Sequence, residues 1–252
     1  MTSTVFAAPD PVTVLSTDLA AAIRAYCARS PRSLQRQIGP SEIGHECLRR
    51  VAYSALGCEP SSTGGDPWAA FIGTATHAEL AQVFTRDNQR LGRDRWLTEH
   101  RVTVRGSIRG TLDLYDTDTA TVIDHKIVGP STHSKVRAGG PSDQYRIQVQ
   151  LYGYGLANEG RPVERVAIAY YPRSGTLDGR IIHVEPYEPA VAEAALTRMA
   201  SAIHLAHVLD VDDHPDRWAH IPAEPGPLCT WCPYFDATGR AGVAAGCCPG
   251  AT

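Results

Sequence analysis

Residues 119–130 read TATVIDHKIVGP and set a lysine inside what reads as a buried β-strand. Of the 24 basic residues in the chain, only Lys126 and Lys135 are lysines; the rest are arginine. Lys126 sits among Ile123, Ile127 and Val128, two positions after Asp124. A compact ammonium on a flexible stem serves where a site needs a point charge or a proton that can leave, and a guanidinium offers neither. The alternative is a strand-edge lysine whose stem lies along apolar surface while its head reaches water.

Working outward, SIRGTLDLY (107–115) joins this strand across D-T-D-T (116–119) as a hairpin. Alternation places Thr111, Asp113 and Tyr115 on one face and Leu112 and Leu114 on the other. In the second strand Val122, Asp124, Lys126 and Val128 share a face opposite Ile123, His125 and Ile127. A two- or four-residue loop puts Asp113 and Asp124 on the same face, directly opposite or diagonal. A three-residue loop separates them, because one step of register turns every side chain over. Two carboxylates and an ammonium on one buried face are costly unless something compensates. Hard oxygen donors of this kind suit Mg2+ or Mn2+.

The flanking sequence gives an α/β layered domain rather than a regular β-α alternation. GPSEIGHECLRRVAYSALG (39–57) reads as one helix, capped by Ser41 and ended by Gly57, with Ile43, Cys47, Val51 and Leu56 on its apolar face. A second helix starts with Asp66 as cap and Pro67 at its first position, and carries the stripe Trp68, Phe71, Ile72, Ala75, Val83, Phe84. WLTEHRVTV (96–104) is the first of three successive strands. A helix then runs from Ser142 to Glu159, followed by strands in VERVAIAYYP (163–172) and GRIIHVEPY (179–187) and an Ala-rich helix from Pro189 to Leu209. From Asp212 onward the chain is rich in Pro, Gly and Cys and needs help to hold a regular structure. No repeat is present.

With 43% apolar and 20% charged residues, the 252-residue chain has a soluble composition and material for one large domain. The start, MTSTVFAAPDPVTV, lacks the basic head and apolar run of a secretory signal. No stretch is long and apolar enough to cross a membrane, so a cytoplasmic protein is expected. A net charge of −3 leaves no global footprint for nucleic acid. Yet Arg24, Arg29, Arg32, Arg36, Arg49 and Arg50 form one basic cluster, and Arg86, Arg90, Arg93, Arg95, Arg101, Arg105 and Arg109 a second. Each is either a phosphate-binding groove or a solvated face.

Taken in order, G-x-x-x-H (Gly73 to His77), G-x-x-D (Gly110 to Asp113), D-x-K (Asp124 to Lys126) and Q-x-x-x-Y (Gln148 to Tyr152) resemble the RecB-like branch of the PD-(D/E)xK nucleases. The resemblance spans residues 40–250. It implies a restriction-endonuclease-like core of helix, three-stranded meander, helix and strand with flanking helices. His77, Asp113, Asp124 and the backbone carbonyl of His125 would hold Mg2+ or Mn2+. Lys126 would position or deprotonate the attacking water, while Gln148 and Tyr152 would steady the site and the DNA backbone. Asp124 stands where relatives often have Glu.

Seven cysteines in a chain expected to be cytosolic point to metal or catalysis before disulfides. L-C-T-W-C-P (228–233) is a Cys-x-x-Cys knuckle, for which structural zinc is the plain reading. The resemblance extends to exonucleases of the CRISPR-associated Cas-four type, in which one early cysteine joins three late ones around a [4Fe–4S] cluster. It implies Cys47, Cys229, Cys232 and Cys248 as ligands of a structural cluster stapling the tail to residues 40–57. Cys247 competes with Cys248, and Cys27 and Cys58 are bystanders. The expected organisation is a helical, basic segment (1–38), a nuclease core (39–211) and a cluster-binding tail (212–252). The function implied is a metal-dependent DNA exonuclease of phage or bacterial recombination, replication or repair, acting on single-stranded DNA from 5′ ends, with a recombination or helicase partner. A restriction-like endonuclease and a catalytically silent DNA-binding or adaptor subunit are the rivals.

Overall fold

The structure is a computed structural model that describes residues 10–29, 37–61, 65–224, 226–236 and 248. Arg32, Arg36 and Cys247 lie outside the described residues. The order is α1 (Pro11–Ala28), α2 (Pro40–Ile43), α3 (Leu48–Ala55), α4 (Trp68–Leu91), β1 (Trp96–Arg105), β2 (Ile108–Asp116), β3 (Thr121–Val128), α5 (Pro130–Gly139), α6 (Asp143–Asn158), β4 (Arg165–Pro172), β5 (Ile181–Pro186) and α7 (Pro189–Val208). The five strands form one mixed sheet in the order β1-β2-β3-β4-β5, with β3 and β4 parallel and the other pairs antiparallel. The α/β fold and the meander are as the periodicity predicts.

The helix α6 lies across one face of the sheet and supplies its core, with Val149, Tyr152 and Leu156 packed on Val102, Leu112, Val122 and Ile168. It starts where expected, the Ser142 side chain accepting from the Tyr145 N–H. On the opposite face α4 rests on β1, β2 and β3. Its stripe is only half buried: no α4 residue is fully covered, and Trp68 and Val83 are exposed.

Two expectations fail locally. The single helix over 39–57 is broken into α2 and α3. Gly44 passes so close to α6 that a Cβ there would lie 2.9 Å from Cβ of Ile147. Arg198 of α7 takes the carbonyl oxygens of His45 and Glu46, which a continuous helix would have used. Cys47 therefore caps α3 instead of sitting on its apolar face. The second departure is α5, an unexpected helix in polar sequence with one buried residue, Val136.

The tail is better anchored than its composition suggests. Trp218 and Ile221 are 1% and 0% exposed, and the Trp218 and Tyr234 rings pack on Tyr53 of α3 at 4.2 and 5.1 Å. The Arg49 guanidinium donates to the carbonyls of Ile221 and Ala219 at 2.9 and 3.0 Å. Burying each such large apolar side chain contributes about 2–3 kcal/mol. That suffices to pin residues 215–221 without a metal.

Candidate active site

The site is made where β2 and β3 part. They pair at Leu114–Ile123, Tyr115–Val122 and Asp116–Thr121, across the four-residue turn 117–120. The same register sets Asp113 opposite Asp124, the parity a four-residue loop predicts. There the backbone ladder stops. The His125 N–H donates to Asp113 Oδ2 at 2.7 Å, so a buried donor is satisfied by a side chain. The separation leaves a cavity of about 270 Å3 reached by His77, Glu99, Arg109, Asp113, Asp124, Gln148 and Tyr152.

His77 arrives from α4, its Nδ1 3.1 Å from Asp113 Oδ1. Lys126 Nζ lies 2.6 Å from Asp124 Oδ2, donates to Gln148 Oε1 at 3.1 Å and sits 4.5 Å from the centre of the Tyr145 ring. It is the ordered point charge of the first reading, not a strand-edge lysine reaching for water. Gln148 is the hub, for its Nε2 donates to Asp124 Oδ1 at 3.0 Å and to Tyr152 Oη at 3.2 Å. Its amide ties Lys126, Asp124 and Tyr152 together, as a residue that steadies the site would. Gly110, the glycine of G-x-x-D, is required by packing, because a Cβ there would lie 2.8 Å from both Pro40 and Tyr152.

The electrostatics of the site are set first by burial. Burial pushes Asp124 up to about 6, against the pull of Lys126 and with a further push from Asp113. Burial alone would raise Asp113 too, but the hydrogen bonds from His77 and the His125 N–H outweigh it and hold the carboxyl below its usual range. The hydrogen bond to Asp113 raises His77. The His125 ring turns to the other face of the sheet and stacks on Phe84 at 5.7 Å; burial lowers it to about 4. Only its backbone is placed to serve the site.

Glu99 is a residue that sequence reasoning missed. It stands on β1 between the pairs Thr98–Leu114 and His100–Leu112, with a left-handed φ of 48° that costs a non-glycine residue about 1–3 kcal/mol. Its carboxylate, His77 and Asp113 offer ligand atoms within 4.8 Å of one another, the set among the described residues that could hold a metal ion. Partial burial, and then Asp113, raise its carboxyl. Of the second arginine cluster, Arg90, Arg93 and Arg95 are paired with Asp87, Asp118 and Asp116. Arg109 enters the cavity.

The cysteines form a second centre. Cys47, Cys229, Cys232 and Cys248 line one cavity with His45 and Arg50, and Arg49 Nη1 lies 3.6 Å from Cys248 Sγ. The first arginine cluster thus sends two members to thiols. Cys58 packs beside Tyr53 and Trp218, and burial followed by Asp212 pushes its thiol up to about 11, so it stays protonated. Cys27 lies on α1, outside the cavity lining.

The chain is similar in fold to an alkaline exonuclease from Laribacter hongkongensis, at 14% identity over 70% of this chain and 90% of that one, with a TM-score of 0.44. It is likewise similar to a phage-related exonuclease from Haemophilus somnus 129PT, at 12% identity over 73% of this chain and 100% of that one, with a TM-score of 0.39. No curated protein matches the sequence. The profile of one family covers most of the chain, residues 21–237. The protein therefore belongs to the PD-(D/E)XK nuclease superfamily and is a nuclease.

Proposed function

We propose that this chain is a Mg2+- or Mn2+-dependent DNA exonuclease and, by the resemblance of its motifs, one that takes single-stranded DNA from a 5′ end. The observation that carries the catalytic reading is the meeting of His77, Asp113, Asp124, Lys126 and Gln148 at the parting of β2 and β3. The donors fit a hard divalent cation, because the carboxylates of Asp113 and Asp124 line one cavity and offer it oxygen ligands. Asp113, Asp124 and the His125 carbonyl would hold it, with His77 at the rim. The cation, when bound, supplies a more acidic water and charge stabilisation at phosphorus. Lys126, fixed between Gln148 and Asp124, orients that water and holds positive charge beside the scissile phosphate. Gly73, one turn before His77, faces open space and leaves room for the DNA backbone. A silent DNA-binding subunit would have no use for a buried Asp124–Lys126 pair. Single strands labelled at either end and incubated with Mn2+ test the reading. Mononucleotides released first from the 5′ label support it, whereas internal cuts select the endonuclease.

Cation binding should fall with pH because protons compete for the ligands. Asp124, with its pKa raised, stabilises the metal-free fold below about pH 4 and loses that effect as pH rises through 6. The cation reverses this sign by requiring the deprotonated form. Between pH 7 and pH 5 Mn2+ affinity should drop about tenfold for this one proton, and more as His77 also protonates. Equal calorimetric affinities at the two pH values would contradict Asp124 as a ligand.

The thiol cavity we read as the seat of a structural [4Fe–4S] cluster, with zinc as the alternative. Arg49 Nη1 lies 3.6 Å from Cys248 Sγ, and Arg50 lines the same cavity.

A further inference from the structure

We propose that the face of the sheet turned away from the catalytic cavity carries a binding site for a free nucleoside monophosphate, seated in a trough along β4. The strand register makes the trough. On this face β4 presents Ala167, Ala169 and Tyr171, because Val166, Ile168 and Tyr170 turn into the core under α6. Ala167 pairs with Ile123 on one side and Val184 on the other, and Ala169 with His125 and Ile182. Two small floor residues thus lie between two rows of larger ones, about 10 Å apart at twice the strand spacing. Helix α4 rests on β1, β2 and β3 of this face, whereas Ile182 and Val184 on β5 are 50% and 51% exposed. The cavity has a volume of about 460 Å3. That is the size of a small-molecule site. No residue lines both this cavity and the one at Asp113 and Asp124.

Three features of the lining select the occupant. The first is the His125 ring, which borders the trough and is 3% exposed. Both its nitrogens are buried, and neither makes a hydrogen bond with the described residues. An apolar occupant, such as the greasy face of a partner helix, would leave that imidazole unpaired. The edge of a nucleobase carries both donors and acceptors and would pair it. The second feature is a wall of rings beside His125. Phe84 and Trp96 lie 5.1 Å apart between centres, and Tyr171 lies 5.6 Å from His125. Planar bases stack on such surfaces whatever their sequence identity. The third is charge. Arg165 stands at the opposite end of β4 from Tyr171, exposed, with Nη1 donating to the Thr119 carbonyl at 3.2 Å. A guanidinium anchored through one nitrogen still has N–H groups to offer a phosphate.

The test is calorimetric titration of the full-length, chelator-treated protein with adenosine 5′-monophosphate, with adenosine and inorganic phosphate as partial probes. One nucleotide should bind per chain, and adenosine should bind at least about tenfold more weakly for want of the contact to Arg165. Arg165→Gln should bring the nucleotide down to the level of adenosine and leave adenosine itself unchanged. Ala169→Phe, which fills the floor, should weaken both by at least about tenfold. The NMR signals of the His125 ring should shift as the nucleotide is added, a readout that stands even where Ala169→Phe does not fold. A wild type that binds no nucleotide would overturn the proposal, as when another segment of this chain or a second copy fills the trough. Inorganic phosphate bound as tightly as the nucleotide would overturn it too. So would undiminished binding in a folded Ala169→Phe, or His125 signals that stay in place, since the nucleotide would then sit elsewhere. None of these results touches the nuclease reading, which rests on the other face of the sheet.

Discussion

Lys126→Ala should abolish DNA cleavage, lowering the rate at saturating Mn2+ by at least about 10³-fold, while the protein should stay folded and still bind Mn2+. The size follows from removing a fixed charge aimed at a developing anion, for which loss of a single donor costs about 10²–10³ in rate. Here the water also loses its orienting group. Folding survives for a reason visible in the site. Taking one partner from a buried ion pair costs on the order of 3 kcal/mol, but Asp124 is already raised to about 6 and can take up a proton once the ammonium is gone. Even the full cost is less than the 5–15 kcal/mol, roughly, that holds a domain together. Lys126→Met, which refills the space of the stem beside Tyr145, should be as inactive as Lys126→Ala and more stable. Cleavage at the wild-type rate by either variant would refute the role of Lys126, and an unfolded Lys126→Met would refute the account of its stability.

The parts of this site that were legible in the sequence are those set by parity and short loops. Asp113 and Asp124 share a face because four residues separate their strands, and the spacing of Gln148 and Tyr152 already put them one above the other on α6. What was not legible depends on partners far along the chain. The break at Gly44–Cys47 is imposed by Ile147 and by Arg198, more than 100 residues downstream, and no local signal for it exists in G-H-E-C. Helix α5 was missed because P-S-T-H-S-K-V-R-A-G offers no apolar stripe; Val136 is its one buried residue, and His133 adds a hydrogen bond to the Gly179 carbonyl. Glu99 gave no sign at all. Its left-handed backbone is a conformation usually left to glycine or asparagine, and only the pairing of β1 with β2 brings its carboxylate to His77. The partners of the Gln148 amide were not legible either, since sequence spacing gives the face of a helix and not the direction in which an amide is spent.

The protein purified without oxygen should be brown, hold about four irons per chain, and bleach on reduction, because four thiolates satisfy a [4Fe–4S] cluster. Cys248→Ala should lose the colour, as should Cys47→Ala. The effect on the fold is confined by the packing of the tail. Trp218 and Ile221 seal residues 215–221 against α3 and α7, so these should resist protease with or without a cluster. Beyond them Cys248 is held by backbone bonds from its N–H to the Tyr234 carbonyl and from the Asp236 N–H to its own carbonyl, and by Arg49 at its sulfur. Each such polar contact contributes about 1 kcal/mol, and ordering a chain costs about 1–2 kcal/mol per residue. Metal–thiolate bonds would add to these contacts, so metal binding there is part of the folding free energy. Limited proteolysis of Cys248→Ala should therefore open sites after Pro222 and leave the chain before it intact. Cys27→Ala and Cys58→Ala should stay brown and resistant, Cys58 because its raised thiol is protonated and packed away from the cavity. Bleaching by Cys247→Ala with colour kept by Cys248→Ala would move the fourth ligand by one position. A colourless wild type with one zinc per chain would end the iron–sulfur reading and leave the nuclease untouched, since the Asp113–Asp124 centre and the thiols share no residue.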